Sequence, residues 1–147
     1  MIRLLLALLL TAPLAAEPAP SIFSGYATPA PILRGIVLTE SSGRPHVVGD
    51  DGLSEGAAQL NRRYHAERAY WWGDFDPYNL RDAIRITDGL FQANLRALQM
   101  AEGCIDPSTW AATRELIAIA AHRQGLWGAL RDGATGWYVS RVRMLGK

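Results

Sequence analysis

The chain has 147 residues, 49% hydrophobic and 20% charged, which fits one globular domain with a tail and excludes both two full cores and a disordered chain. Lys and Arg number 15 against 14 Asp and Glu, so no charge surplus exists to drive binding to nucleic acid or to an acidic membrane surface. The single cysteine, Cys104, excludes an internal disulfide framework and a multi-thiolate zinc site. His46, His65 and His122 lack ligand-like spacing, so no metal site is expected.

In chain order, Met1 to Ala16 begins with Arg3 and continues as an apolar run from Leu4, too short to span a bilayer but suited to a secretory signal. Loss of that segment would bring the net charge from +1 to zero and place the mature protein in the periplasm or outside the cell. Residues 17–30 are proline-rich and read as an extended leader to a domain over 31–147. A first helix begins at Pro31, carries Ile32, Leu33, Ile36 and Val37 at helical spacing, and stops at Ser41-Ser42-Gly43. After a Gly- and Asp-rich loop, a second helix is expected from Ser54 to about Tyr70. Asp76-Pro77 fits the start of a long helix, an N-cap oxygen followed by a proline whose missing N–H costs nothing there. Its stripe is Ala83, Ile84, Leu90, Phe91, Leu95 and Leu98, ending near Gly103. Asp106-Pro107 repeats the start signal for an apolar helix through Trp110, Ile117 and Ala120 to a stop at Gly125. A last short helix holds Trp137 to Leu145. With no alternating strand of useful length, the expected fold is all-α, with about five helices and little or no β.

Chemistry enters at Glu40. It shares a helix face with Ile36 and so should point inward, where a carboxyl deprived of water keeps its proton and can give it to a leaving oxygen. Glu40-Ser41, the Gly-rich loop, and Gly56-Ala57-Ala58-Gln59-Leu60 on the expected second helix resemble the Glu-Ser, Gly-rich loop and Gly-x-x-Gln-Ile pattern of the soluble lytic transglycosylases and goose-type lysozymes. Phe75-Asp76-Pro77-Tyr78-Asn79 is similar to that family's Phe-Asp-Pro-x-x-Asn turn, with one residue's difference in spacing. Ala120-Ala121-His122-Arg123-Gln124-Gly125 is similar to its Ala-Ala-Tyr-Asn-Ala-Gly, and Trp137-Tyr138-Val139-Ser140-Arg141-Val142 to its closing Tyr-Val-x-Arg-Val. The four pieces stand in the family's order across residues 33–145.

The resemblance implies a lysozyme-like domain that cleaves the β-1,4 bond between N-acetylmuramic acid and N-acetylglucosamine in peptidoglycan, with Glu40 as single acid and then base and 1,6-anhydro ends as product. Gln59 would orient a sugar through its amide, Ser41 would fix the acid's helix end, and Tyr138 would line the cleft wall. His122 stands where many members carry a tyrosine that hydrogen-bonds the acid, and from there it could donate towards Glu40. Arg123 replaces the family's Asn, and Ala57-Ala58 replace bulkier residues before the glutamine. The resemblance implies no metal or organic cofactor, and the implied partners are peptidoglycan strands and an envelope-spanning assembly that needs the wall opened locally. Three alternatives stand beside this reading: a hydrolytic lysozyme, with Asp50 or Asp51 holding a water opposite the acid; a non-catalytic glycan-binding module; and a helical adaptor for a protein partner. Tyr64, Tyr70, Trp71, Trp72 and Tyr78 cluster after Gln59, where one or two could stack on sugar.

Overall fold

The structure is a computed structural model that describes residues 21–101, 110–132 and 136–147. It is mostly helical, with five α-helices and one small sheet among the described residues. The expected secretory signal and the Asp106-Pro107 helix start lie outside the described residues.

Helix α1 (Ala30–Ser41) starts with a proline in its first turn and ends at Ser42, whose left-handed backbone (φ 57°) lets its N–H reach back to Leu38 O. Its two apolar rows face different neighbours. Ile32 and Ile36 join one core cluster, and Leu33 and Val37 join a second. A helix flanked on both sides in this way is central, and its C-terminal end, where Glu40 sits, is held from two directions.

The chain then forms β1 (Val48–Gly49), a 3-10 turn at Asp50–Gly52, β2 (Ser54–Glu55) and β3 (Leu60–Asn61), paired antiparallel in the order β1-β2-β3. The register sets Val48 opposite Glu55 and Glu55 opposite Leu60. The helix expected from Ser54 is therefore a sheet and turn as far as Tyr64, and only α2 (His65–Trp72) is helical. Two backbone positions account for the difference. Gly56 has φ +77°, and a Cβ there would run into the Pro77 carbonyl; Gln59 is also left-handed, at φ 48°. The carbonyls of Ala57 and Ala58, buried in this turn, bond to side chains of other helices instead of a helical ladder.

Helix α3 (Leu80–Met100) begins three residues later than Asp76-Pro77 suggests. Asn79 is the N-cap, its side chain accepting from the N–H groups of Arg81 and Asp82 at 3.0 and 3.3 Å. Asp76 instead closes a turn by accepting from Tyr78 N–H at 2.9 Å. Helix α4 (Trp110–Asp132) breaks at Gly125 (φ 73°, ψ 160°) and then resumes, so the expected stop is a kink. Helix α5 (Gly136–Leu145) buries Tyr138, Val139 and Val142. It lies so close to α1 that a Cβ on Gly35 would collide with the Val142 carbonyl. Residues 21–29, from the proline-rich stretch, are tied to the domain: Asp88 accepts from both the backbone N–H and the hydroxyl of Thr28, at 2.8 and 2.6 Å. Among the described residues, no helix is long and apolar enough to cross a membrane.

Candidate active site

Three of the residues singled out above, Glu40, Gln59 and His122, meet at one place. Glu40, at the end of α1, lines a polar cleft of about 170 Å3 with Gln59, His122, Asp50, Arg68 and Arg123. The acid is half-buried, on a cleft wall as its helical phase predicts.

Tyr138 stands behind the acid. Its ring is fully buried, and its hydroxyl donates to Glu40 Oε1 at 2.6 Å. Burial first, then the negative charge and hydrogen bond of Glu40, push the phenol well above its ordinary value, so it remains a donor at working pH. Tyr138 is thus a positioning residue for Glu40 and does not line the cleft, contrary to the expectation of a cleft-wall contact.

Ser41 is also a positioning residue. Its buried hydroxyl donates to Ala57 O at 2.7 Å, tying the end of α1 to the turn that presents Gln59. It therefore faces the backbone and not a ligand. Gln59 uses both amide hydrogens inside the protein, to Val47 O at 3.1 Å and Gly56 O at 3.0 Å. What it can offer a ligand is its carbonyl oxygen, so its expected double role narrows to acceptor. A non-glycine residue held left-handed at a cleft is the kind of local strain that the surrounding structure must enforce; here the two amide bonds and the flanking strands do so.

His122 does not reach Glu40 by a hydrogen bond. Its Nε2 lies 2.8 Å from Ala58 O, and because a carbonyl can only accept, that nitrogen carries the proton and Nδ1 is an acceptor. Desolvation lowers the imidazole below its usual value, outweighing the nearby charge of Glu40, which acts the other way. A neutral ring results at neutral pH. The expectation that His122 donates towards the acid is therefore corrected: it braces the Gln59 turn, and Tyr138 supplies the donor.

Of the two loop aspartates, Asp50 lines the cleft and accepts from Ser54 Oγ at 2.6 Å, whereas Asp51 is exposed outside it. Both adopt left-handed backbone, φ 50° and 54°. Of the five clustered aromatics, Tyr64 and Trp72 line a chamber adjoining the cleft. Tyr70 and Trp71 are exposed and packed edge to face, while Tyr78 donates to Glu55 at 3.1 Å.

Reasoning from sequence missed Arg68. It is buried on α2, lines both the cleft and the chamber, and donates from Nη1 to Asn61 O at 2.8 Å. Fourteen of the fifteen basic residues are Arg, and nothing local marked this one until α2 was known to start at His65. Among the described residues, no cluster of three or more His, Cys, Asp or Glu could hold a metal ion. No protein family, curated protein or solved structure matches the chain.

Proposed function

We propose that the protein is an exported peptidoglycan lytic transglycosylase in which Glu40 acts first as acid and then as base. The observation that carries this reading is a lone glutamate on the wall of a polar cleft, gripped from behind by a buried phenol and accompanied by the amide of Gln59.

The chemistry follows from one proton. The glycosidic oxygen takes it from the Glu40 carboxyl as the bond to the muramoyl anomeric carbon breaks. The carboxylate left behind keeps one oxygen on the Tyr138 hydroxyl and has the other available. It then accepts the proton of the muramoyl 6-hydroxyl while that oxygen closes onto the anomeric carbon. The proton is returned, no water is consumed, and a 1,6-anhydro end results. The substrate's 2-acetamido group can shield the positive charge that develops between the two steps, an arrangement in which no second carboxylate is required. The carbonyl oxygen of Gln59 would accept from a sugar N–H or hydroxyl. The strands cut are those of the cell wall, and opening them locally would suit an envelope-spanning assembly.

A hydrolytic course is the second reading, and Asp50 favours it. A carboxylate in the same cleft as Glu40 could hold a water for attack in place of the 6-hydroxyl. Mass analysis of the fragments released from purified sacculi separates the two. Anhydro-muramoyl ends are the expected product. Reducing ends alone would transfer the assignment to hydrolysis, and no new ends of either kind would overturn both.

A further inference from the structure

The cleft around Glu40 does not end at its floor. A chamber of about 410 Å3 adjoins it, and the two share Asn61, Arg68, His122 and Arg123 as lining. Arg68 is 9% exposed. A guanidinium carries five N–H donors, yet Arg68 uses one within the described residues, Nη1 to Asn61 O at 2.8 Å. Its Nε–H is buried with no partner. The Tyr64 ring lies 5.8 Å away, and no carboxylate of the described residues comes within ion-pair distance.

Removing a cation from water without pairing it is unfavourable, and an ordinary structural arginine avoids the situation by holding a carboxylate or several carbonyls. Burial lowers the Arg68 guanidinium to about 10, which leaves it charged at neutral pH. Arg123 adds a second cation at the shared rim, its guanidinium 5.0 Å from the Trp137 ring. Glu67 is the opposing charge in the chamber lining and is exposed, while His122 contributes none. The Arg68 fork is left with donors that find no acceptor among the described residues, and it fits a planar two-oxygen group.

We propose that this chamber is a carboxylate subsite, in which Arg68 pairs with an acidic substituent of the glycan strand lying across Glu40. The protein would thereby favour carboxylate-bearing sugars over neutral chains of the chitin type. The inference rests on the glycan reading of the cleft and adds to it the class of strand selected. The carboxylate has two sources in such a strand, the ether-linked lactyl acid of a bare muramoyl sugar or an acidic residue of an attached peptide.

Calorimetry with three oligosaccharides of equal length tests the proposal: an N-acetylglucosamine chain, a chain alternating with muramoyl units bearing free lactyl acid, and the same chain carrying peptides. At low salt one or both acidic chains should bind about tenfold or more tighter than the neutral chain, and the tighter of the two identifies the source. Arg68→Gln should remove that preference. Equal affinity of all three for the wild type, or a preference that survives Arg68→Gln, would overturn the subsite. N-acetylmuramic acid alone should shift the Arg68 Nε–H resonance of the wild type, and no shift would count against the subsite. A shift without cleavage of sacculi would keep the subsite and discard the enzyme. Cleavage without any acid preference would do the reverse.

Discussion

A buried phenol 2.6 Å from a carboxylate oxygen fixes the carboxyl's rotamer, and in the proposed mechanism it leaves the second oxygen to carry and return the proton. Tyr138→Phe keeps the ring and removes the hydroxyl. A hydrogen bond to a charged group is worth about 1.5–3 kcal/mol, so the variant's kcat on soluble glycan should fall roughly tenfold to a hundredfold, with KM little changed. An unaltered kcat would show that the hydroxyl does not serve the acid. His122 makes a prediction in pH. Its folded value is held below the ordinary 6.5 by desolvation, so in acid the unfolded chain takes up a proton that the folded chain resists. Stability from this group is complete above about pH 6.5 and declines as pH falls below it towards the folded value. His122→Gln preserves an N–H for Ala58 O and does not titrate. Denaturant unfolding should therefore show the wild type losing more stability than the variant between about pH 7.5 and 5, and parallel curves would contradict the burial of a neutral imidazole.

At the scale of elements, the start of α3 separates two capping schemes. Asn79 accepts from two N–H groups at the helix start, whereas Asp76 closes the turn ahead of it. Asn79→Ala should cost about 1 kcal/mol in urea unfolding and Asp76→Ala less; the opposite order would place the cap at Asp76. The helices themselves were legible in the sequence because burial repeats with their period. Ile32 with Ile36 and Leu33 with Val37 define α1, and the same logic carried Glu40 to the cleft. Residues 54–64 were not legible. Ala57, Ala58 and Leu60 are buried as a helix face would be, but the reversal that buries them depends on left-handed backbone at Gly56 and Gln59. Propensity favours that at the glycine and not at the glutamine. Ile86 and Thr87 were also omitted from the α3 stripe, although both are fully buried. The helix is covered on more than one side, and periodicity locates one face only.

Over the whole molecule, α1 separates two core clusters, and the cleft opens where its end meets the small sheet and α4. Glu40 belongs to α1, its phenol comes from α5 98 residues away, Gln59 from the turn before β3, and His122 from α4. The types of residue at the site could be read from the sequence, but their roles could not. Whether Tyr138 or His122 reaches the acid depends on how α5 is seated on α1, and that seating follows from the bare backbone of Gly35 against Val142. Arg68 stayed hidden for a related reason, since its burial comes from the packing of α2 and not from its neighbours in sequence. The central claim is that the proton on Glu40 cuts the strand. The most direct test is the clearing rate of purified sacculi with wild type and with Glu40→Gln, an isosteric amide that has no proton to give. The account predicts that the wild type clears the suspension and that Glu40→Gln is slower by about 10²–10⁴-fold while still sedimenting with the sacculi. Clearing by the variant at the wild-type rate, or none by either protein, would contradict it.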